Sequence, residues 1–386
     1  MSNHNFSSAE LERYSRHISI PEIGIEGQQK LKAAKVLVVG SGGLGSPLLL
    51  YLAAAGIGKI GIVDFDVVDD SNLQRQVLFS QNDIGRPKVE AAKEKLLALN
   101  PHIIIDIYNE KITAKNAKRI LEPYNIVADG TDNFQTRYLI NDACVLLNKI
   151  NVYASIYRFE GQVSVFNYTT KQGEVGPNYR DIFPSPPPPG TVPNCAEAGV
   201  LGVLPGIIGS IQANEVIKLA AKIGEPLSGK LFLFDALAFD CRTLKIRKDP
   251  NNPLTGNAPT QTSLIDYDEF CGLNIKPMKE NVKEISVKEL KKLFDGNEDF
   301  QIIDVREEYE YDIVNLNAKL IPLNSILNRT SEIEKEKKVI IHCRSGVRSA
   351  NAIEALQEKF GYKNLYNLKG GILAYSKEID NTLATY

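Results

Sequence analysis

Residues 35–55 constrain the fold of this chain most strongly, because they join a strand to a helix through a glycine-rich turn. They open on Lys35-Val36-Leu37-Val38-Val39, an apolar and β-branched run that predicts a buried parallel strand. The turn Gly40-Ser41-Gly42-Gly43-Leu44-Gly45 follows, and residues 44–55 predict a helix with Pro47 in its first turn. Such a strand–turn–helix unit indicates an α/β protein with a largely parallel sheet.

Strands and helices continue to alternate up to residue 130. Further strands are predicted at residues 59–64, 103–108 and 126–129, and a helix at residues 87–99. This alternation predicts a doubly wound parallel sheet. Residues 152–168 predict two more strands, which we expect to be joined by a turn at Glu160-Gly161.

A change of composition divides the chain into two domains. Residues 249–262 are rich in Asn, Pro, Thr and Gly, so we predict a linker over residues 249–280. The linker would separate an N-terminal domain of residues 1–248 from a C-terminal domain of residues 281–386. Strand-like and helix-like segments predict that the C-terminal domain is a small α/β unit.

Charge, hydropathy and cysteine content exclude several classes of protein. The 45 Lys and Arg residues nearly balance the 47 Asp and Glu residues, so no large nucleic-acid-binding surface is expected. The longest apolar stretch, residues 44–57, is too short to span a membrane. The five cysteines are irregularly spaced, which argues against a secreted disulfide framework and predicts a cytoplasmic protein.

The glycine turn predicts a phosphate-binding site. Its glycines let the backbone approach a phosphate, and the helix N-terminus behind them offers free N–H groups. These glycines are Gly40, Gly42, Gly43 and Gly45. Asp64 ends the next strand, about 20 residues further on, where an acidic residue can accept a hydrogen bond from a ribose hydroxyl. These residues alone are equally compatible with an NAD-dependent dehydrogenase.

Charged and polar residues beyond the second strand favour a triphosphate over a dinucleotide. They are Asp66, Asn72, Arg75 and Lys88, and Asp132 follows a later strand. Arginine and lysine can neutralise a leaving pyrophosphate, and an aspartate can hold Mg²⁺. Hydride transfer needs no such group of cations beside a carboxylate.

Residues 10–250 resemble the MoeB/ThiF adenylyltransferases, which are relatives of the ubiquitin-activating enzymes. Besides the glycine turn, the resembling stretches are Arg13-Tyr14-Ser15-Arg16-His17, Asp64-Phe65-Asp66, Ser71-Asn72-Leu73-Gln74-Arg75-Gln76, Gly85-Arg86-Pro87-Lys88, Thr131-Asp132-Asn133 and Pro193-Asn194-Cys195-Ala196-Glu197-Ala198-Gly199-Val200. The resemblance implies a Rossmann-like nucleotide-binding domain with a mixed sheet. It also implies transfer of AMP from ATP to the C-terminal glycine of a ubiquitin-like sulfur carrier that ends in Gly-Gly.

The same resemblance implies roles for single residues. Those that match the ATP-binding residues of the family are Gly42, Asp64, Asn72, Arg75 and Lys88. Asp132 would assist Mg²⁺ and adenylate formation, and Arg16 would reach the nucleotide of a partner subunit, which implies a homodimer. Cys195 matches a loop cysteine that can form a thioester or resolve an acyl-disulfide.

One departure from the family concerns zinc. Most members hold a structural Zn²⁺ with two Cys-x-x-Cys pairs, and this chain contains no Cys-x-x-Cys. The matching positions are Asn178, Asp181, Asn252 and Thr255. Thiolate-bound zinc is therefore not expected, and we expect packing alone to hold this segment.

A second candidate site lies around Cys343. This cysteine follows the run Val339-Ile340-Ile341 and precedes a helix, so backbone N–H groups, a helix N-terminus and two nearby arginines, Arg344 and Arg348, favour its thiolate. Such a loop can serve phosphate-ester cleavage or sulfane-sulfur transfer.

Residues 282–386 resemble a rhodanese domain. The resembling stretches are Ile302-Ile303-Asp304-Val305-Arg306, His342-Cys343-Arg344-Ser345-Gly346-Val347-Arg348-Ser349 and Leu368-Lys369-Gly370-Gly371-Ile372. The short spacing from Cys343 to Arg348 is that of sulfurtransferases. The resemblance implies a persulfide on Cys343, with Asp304 and Arg306 anchoring the loop.

Together the two resemblances imply one fused enzyme. It would use ATP and Mg²⁺ to adenylate a sulfur carrier and would convert the adenylate into a thiocarboxylate with sulfur from Cys343. A cysteine desulfurase or thiosulfate would supply that sulfur, and molybdopterin biosynthesis is the expected pathway, with thiamine or another thiolated product as the alternative. An NAD-dependent oxidoreductase fused to a rhodanese and a non-enzymatic scaffold with a degenerate nucleotide site remain open.

Overall fold

The computed structural model of the chain describes residues 6–187, 199–271, 282–296 and 298–384. The chain forms two units, residues 1–274 and residues 275–386. In the part of the chain that the structure describes, no helix is long and apolar enough to cross a membrane.

The described strands of the first unit form one sheet in the order β3-β2-β1-β4-β5-β6-β7-β8. Their bounds are β1 (Lys35–Val39), β2 (Lys59–Val63), β3 (Ile104–Tyr108), β4 (Ile126–Asp129), β5 (Ile150–Tyr157), β6 (Glu160–Phe166), β7 (Lys230–Asp235) and β8 (Asp240–Lys245). Strands β1 to β5 pair in parallel, whereas β5 to β8 pair as an antiparallel meander. The expectation of a mixed sheet is thereby confirmed.

Helices cover both faces of this sheet. They are α1 (Ser8–Arg13), α2 (Ser15–Ile18), α3 (Gly24–Ala33), α4 (Gly45–Ala55), α5 (Lys88–Leu99), α6 (Ala117–Leu121), α7 (Phe134–Leu146), α8 (Leu204–Ala221) and α9 (Tyr267–Phe270). Helix α4 ends at Gly56, whose φ of 82° suits glycine. Leu48, Leu49 and Leu52 of α4 are fully buried, which stabilises the fold by about 2 kcal/mol for each side chain. A tight contact joins α8 to α4, because a Cβ at Gly209 would lie 2.5 Å from the Leu44 carbonyl oxygen.

The turn between β5 and β6 differs from the sequence prediction. It lies at Arg158 and Phe159, with Arg158 at a φ of 54°, and not at Glu160-Gly161. Gly161 lies inside β6 instead, and a Cβ there would meet Ile208 of α8 at 2.2 Å. A glycine is therefore needed at position 161 to let α8 pack closely on β6. In the sequence alone this requirement cannot be distinguished from a turn, because glycine is also typical of turns.

Residues 249–271, which the composition assigns to a linker, pack on the first unit. Tyr267 is buried, and its hydroxyl donates to Asp142 Oδ2 at 2.8 Å. The Gln261 amide donates to the same oxygen at 2.8 Å. Gln261 and Tyr267 hold this segment on the first unit because they donate hydrogen bonds to the buried Asp142 carboxylate. Composition could not predict this, since it indicated only that the segment is rich in turn-forming residues. The remainder of the predicted linker, residues 272–280, lies outside the described residues.

The expectation that packing alone holds the zinc-matching positions is wrong. The Asn178 amide donates to Thr255 Oγ1 at 2.9 Å, and the Asn252 amide donates to Asp181 Oδ1 at 2.8 Å. Two pairs of polar side chains, which are distant from each other in the sequence, therefore meet in one hydrogen-bonded group.

The described strands of the second unit form a parallel sheet in the order β11-β10-β12-β13-β9. The strands are β9 (Lys283–Ile285), β10 (Phe300–Asp304), β11 (Lys319–Leu320), β12 (Lys338–His342) and β13 (Leu365–Leu368). The helices are α10 (Val287–Asp295), α11 (Glu308–Ile313), α12 (Val347–Phe360) and α13 (Gly371–Glu378). This unit is the small α/β domain that the sequence predicts.

Candidate active sites

The first candidate site is a cleft at the carboxyl ends of β1, β2 and β4. Most of the predicted nucleotide-binding residues line it, namely Gly40, Gly42, Gly43, Asp64, Arg75, Lys88 and Asp132. Parallel α/β sheets bind ligands at this edge, where loops from several strands converge.

The glycine turn is compressed against its surroundings. Gly40 has a φ of 89°, and a Cβ at Gly45 would lie 2.0 Å from the Gly40 carbonyl oxygen. Larger residues cannot replace these glycines without moving the backbone. The turn therefore brings main-chain N–H groups and the N-terminus of α4 to the cleft, as a phosphate site requires. Gly45 itself is not among the lining residues.

Asp64 is held in place by its neighbours. The Ser41 N–H and hydroxyl each donate to Asp64 Oδ2 at 2.8 Å, and the Asp66 N–H donates to Oδ1 at 3.0 Å. The carboxylate is thereby oriented at the edge of the cleft, where it can accept further hydrogen bonds. Sequence reasoning did not assign Ser41 a role, although it lies inside the glycine turn.

Lys88 places a buried cation in the cleft. Its side chain is only 6% exposed, and its Nζ lies 3.1 Å from Oδ2 of the exposed Asp66. About half of the Asp66 side chain is exposed to solvent, so its ion pair with Lys88 is weak. An anionic ligand can therefore replace Asp66 as the partner of the Lys88 ammonium at a modest cost in free energy. Arg75 reaches the cleft from the adjoining turn, where its Nη1 donates to the Ser71 carbonyl oxygen at 3.1 Å.

Gln76 lines the cleft, although the motif that contains it predicted no role for this residue. It is 4% exposed, and its Oε1 has no hydrogen-bond partner among the described residues. A buried acceptor without a partner is costly unless a ligand satisfies it. The signal that could have found it is its position directly after Arg75.

Asp132 is exposed at the mouth of the cleft, whereas Asp129 beneath it is fully buried. Burial raises the pKa of Asp129, while the nearby Arg137 opposes that rise. Thr131 donates its N–H and hydroxyl to Asp129 Oδ1 at 2.9 and 2.6 Å. Asp129 therefore fixes the loop that presents Asp132.

Besides Gly45, two predicted nucleotide-binding residues do not line the cleft. Asn72 Oδ1 accepts from the Asp69 N–H at 3.2 Å and so closes the short turn that precedes Arg75. Arg16 lies exposed on α2 and is not among the cleft residues of its own chain. Asn72 thus positions a neighbour in this structure.

The second candidate site is the cysteine loop, residues 343–348, which connects β12 to the first turn of α12. Cys343 is buried, the Gly346 N–H donates to its Sγ at 3.1 Å, and Ser349 Oγ lies 3.4 Å from the same sulfur. The Gly346 N–H stabilises negative charge on the sulfur, whereas the Ser349 hydroxyl donates to Asn367 Oδ1 at 2.7 Å. Gly371 supports the loop from behind, since a Cβ there would lie 2.4 Å from the Cys343 carbonyl oxygen.

Buried ion pairs surround the cysteine loop. Arg306 donates its Nε to Asp304 Oδ1 at 2.9 Å and its Nη2 to the Val314 carbonyl oxygen at 2.7 Å. Burial lowers the pKa of the neighbouring His342 to about 4. Arg348 forms two hydrogen bonds with Glu310, a partner that sequence reasoning missed because it lies 38 residues away.

The remaining predicted thiol, Cys195, lies outside the described residues. Cys144 is buried in the core, and burial strongly raises the pKa of its thiol. The structure therefore gives Cys144 no nucleophilic role.

Comparison with known proteins identifies both units. Residues 14–254 match the ThiF family, and residues 286–378 match the rhodanese-like domain. The chain belongs to the ThiF family. Its ThiF domain carries the cleft, and its C-terminal rhodanese-like domain carries the cysteine loop. The family of adenylyltransferases implies use of ATP, as the cleft residues suggest.

Similar proteins match this chain over nearly its whole length or over its larger part. The chain is 46% identical to the probable adenylyltransferase/sulfurtransferase MoeZ of Mycobacterium tuberculosis, with 98% of this chain and 96% of the relative covered. It is 40% identical to adenylyltransferase and sulfurtransferase MOCS3 of Xenopus laevis, with 97% and 88% covered. It is 52% identical to the sulfur carrier protein adenylyltransferase of Thermus thermophilus, with 69% and 99% covered.

A solved structure shares the fold. The crystal structure of E. coli MccB with ATP superposes with a TM-score of 0.54 at 25% identity, over 66% of this chain and 76% of that chain.

Proposed function

We propose that the ThiF domain adenylates the C-terminal glycine of a ubiquitin-like sulfur carrier, and that the rhodanese-like domain supplies sulfur to make the thiocarboxylate. The observation that carries this proposal is that one chain contains both sites. The first is a cleft lined by the glycine turn, Arg75 and Lys88, and the second is a cysteine loop in which a backbone N–H donates to the Cys343 sulfur. The relatives named for both activities match along nearly the whole chain.

The adenylation step depends on positioning and charge. A carboxylate oxygen of the carrier attacks the α-phosphorus of ATP, the bond between the α- and β-phosphates breaks, and pyrophosphate leaves with the electron pair. Lys88 and Arg75 neutralise the growing charge, and the glycine turn holds the phosphates. Asp64 accepts from the ribose. No side chain needs to move a proton, because the attacking group is already an anion.

Mg²⁺ fits the exposed carboxylate of Asp132, since hard oxygen ligands are what this ion prefers. It would supply charge neutralisation at the phosphates. We infer that Arg16 completes the site of a second copy, because it is exposed and does not line the cleft of its own chain. A homodimer follows from that inference.

An apolar surface beside the cleft suits a globular carrier. The carrier surface comprises Phe159, Leu201, Val203, Leu237 and Phe239, of which Leu237 is 72% and Phe239 84% exposed. It is continuous with the cleft, because Leu201 follows the lining residue Val200 and donates its N–H to the Arg158 carbonyl oxygen at 3.1 Å. A partner bound there could extend its C-terminal tail to the nucleotide.

The sulfur step uses a persulfide on Cys343. Its terminal sulfur attacks the acyl carbon of the adenylate, AMP leaves, and an acyl-disulfide forms. A second thiolate then attacks the Cys343 sulfur of that disulfide, which releases the thiocarboxylate and leaves a protein disulfide. Cys195 is the candidate for the second thiol. The persulfide itself comes from a cysteine desulfurase or from thiosulfate.

We infer a role in molybdopterin biosynthesis, with thiamine or another thiolated product as the alternative. We place the reaction in the cytoplasm, because the odd number and irregular spacing of the five cysteines argue against a secreted disulfide framework. No zinc is expected in the ThiF domain.

Mass spectrometry of candidate carriers, incubated with the full-length enzyme, ATP, Mg²⁺ and a sulfane donor, tests the proposal. We expect one carrier to exchange an oxygen for a sulfur at its C-terminus. Pyrophosphate exchange that depends on ATP and that carrier separates adenylation from the rival classes. Absence of exchange together with a tightly bound dinucleotide would favour an NAD-dependent oxidoreductase, and ATP binding without exchange would favour a scaffold.

A further inference from the structure

We propose that Asn178, Asp181, Asn252 and Thr255 form a metal-free clasp at the place where zinc-binding relatives are expected to hold Zn²⁺, and that this clasp makes the ThiF domain insensitive to chelation and to sulfane sulfur. The four positions keep the spacing of two pairs, each with two residues between its members.

The clasp joins two segments that are far apart in the chain. The Asn252 amide bridges Asp181 Oδ1 at 2.8 Å and Asn178 Oδ1 at 3.3 Å, and the Asn178 amide donates to Thr255 Oγ1 at 2.9 Å. The four side chains thus form one continuous run of hydrogen bonds, from Thr255 through Asn178 and Asn252 to Asp181.

The donor set does not suit zinc. It contains no thiolate and no imidazole, and its one carboxylate is already engaged: Asp181 Oδ1 accepts from the Asp249 N–H at 2.9 Å and Oδ2 from the Asn178 N–H at 2.7 Å. In the described residues no group of three or more His, Cys, Asp or Glu could hold a metal ion. The oxygen atoms that could coordinate a metal are therefore already used as hydrogen-bond acceptors.

Burial increases the contribution of these hydrogen bonds to the stability of the fold. Asn178 and Asn252 are each 1% exposed, so water cannot replace a partner that is removed. The Asn252 carbonyl oxygen of the side chain also accepts from the Leu254 N–H at 2.9 Å, which shapes the turn that carries Thr255.

The clasp helps to fix the start of residues 183–193, a segment that is rich in proline. Between its first two members lies Arg180, which pairs with the buried Asp142 and donates to the Pro184 carbonyl oxygen at 3.3 Å. The Tyr138 hydroxyl donates to the Phe183 carbonyl oxygen at 3.0 Å. The segment that leads towards Cys195 therefore begins from a rigid stem.

The absence of thiolates from the clasp has a chemical consequence. Zinc-bound thiolates are nucleophiles that exchange with persulfides and disulfides, and the proposed reaction of this enzyme generates both. Amide, carboxylate and hydroxyl groups do not react in this way. The inference rests on the proposed function only for this last point.

Elemental analysis and chelation test the clasp in the full-length protein. We expect purified enzyme to contain no stoichiometric zinc, and its unfolding midpoint and carrier-dependent pyrophosphate exchange to survive EDTA once Mg²⁺ is restored. Polysulfide treatment should also leave that exchange intact. A bound zinc ion whose removal lowers the midpoint would overturn the proposal.

Matched substitutions measure what the clasp contributes. Asn252→Ala removes buried bonds and should lower the midpoint of thermal unfolding by about 5 °C, whereas Asn251→Ala, at the exposed neighbour, should leave it unchanged. Equal midpoints would contradict the proposal.

A gain-of-metal variant tests convergence directly. Replacing all four residues by cysteine should yield a protein that binds Co²⁺ with thiolate charge-transfer absorption and loses stability with EDTA. A folded variant that binds no Co²⁺ would show that the four positions do not converge. Should that variant fail to fold, the Asn252→Ala comparison still decides. Absence of exchange in untreated wild-type enzyme would refute the proposed function and leave the clasp untouched, whereas exchange lost only after EDTA or polysulfide treatment would contradict the clasp.

Discussion

Arg348 and Glu310 form a two-point ion pair, in which Nη1 and Nη2 donate to the two carboxylate oxygens at 2.7 Å each. The pair ties the end of the cysteine loop to α11. Arg348 therefore holds the shape of the loop through Glu310, and the charge it presents to the sulfur is shared with a buried carboxylate.

Replacing Glu310 by glutamine should impair sulfur transfer alone. The change leaves a partly buried guanidinium without its anion, and we expect the free energy of unfolding of the rhodanese-like domain to fall by about 2 kcal/mol. Persulfide transfer to cyanide should drop by about tenfold while pyrophosphate exchange stays constant. The exposed Glu308→Gln on the same helix is the control. Unchanged transfer would show that the pair does not shape the loop.

Lys88→Met should abolish adenylation. The ammonium is the buried cation of the cleft, so its loss should reduce pyrophosphate exchange by at least about 100-fold. Sulfur transfer from Cys343 to cyanide, measured on the same sample, should be unaffected. Lys93→Met, on the same helix but outside the cleft, serves as the control. Parallel loss of both activities in a folded variant would contradict the division of labour between the domains.

Phe239→Ser tests the carrier surface. This side chain is 84% exposed, so its removal should leave the fold intact. We expect the KM for the carrier to rise by about tenfold, with the KM for ATP unchanged, because only docking loses apolar contact. Titration of pyrophosphate exchange against each substrate measures both values. An unaltered carrier KM would place the docking surface elsewhere.

Acid should destabilise the rhodanese-like domain through His342. Burial lowers the pKa of this histidine to about 4, Asp304 at 3.6 Å opposes that lowering, and Arg306 adds to it. Between about pH 6.5 and 4 the unfolded chain binds the proton and the folded chain does not, so the free energy of unfolding falls by up to roughly 3 kcal/mol as the pH drops. Above about pH 6.5 the ring is neutral in both states and contributes no slope.

Hydrogen exchange of β12 as a function of pH measures this effect. His342→Gln should flatten the slope in that pH range, whereas His102→Gln, in the other unit, should not. A slope that is the same in all three proteins would assign the acid sensitivity to carboxylates alone.

Cys195→Ser should arrest the enzyme at the acyl-disulfide. Without a second thiol the carrier stays linked to Cys343, and non-reducing electrophoresis should show a covalent adduct that reducing agent releases. Cys241→Ser, at an exposed thiol, is the matched control. Thiocarboxylate formation at the wild-type rate would exclude Cys195 from this role.

Local signals made much of both sites predictable. The glycine turn, Asp64 and Lys88 sit within short motifs whose spacing reflects one strand–turn–helix geometry, and Cys343 lies at a similar junction. What could not be predicted depends on contacts between distant segments. Glu310 meets Arg348 only after β10 and β12 pair, and Gly161 is required by Ile208 of a later helix. The sequence places Asn252 and Asp181 only at positions that match zinc ligands, and their hydrogen bond forms only once these distant segments meet.

Some hydrogen-bond donors to Asp142 come from residues that follow the last strand of the first sheet. Asp142 accepts from Arg180, Gln261 and Tyr267, the last two contributed by residues that follow β8. A fragment that ends before residue 261 would leave the buried Asp142 carboxylate without two of its donors, so an expressed ThiF domain should extend to at least residue 271.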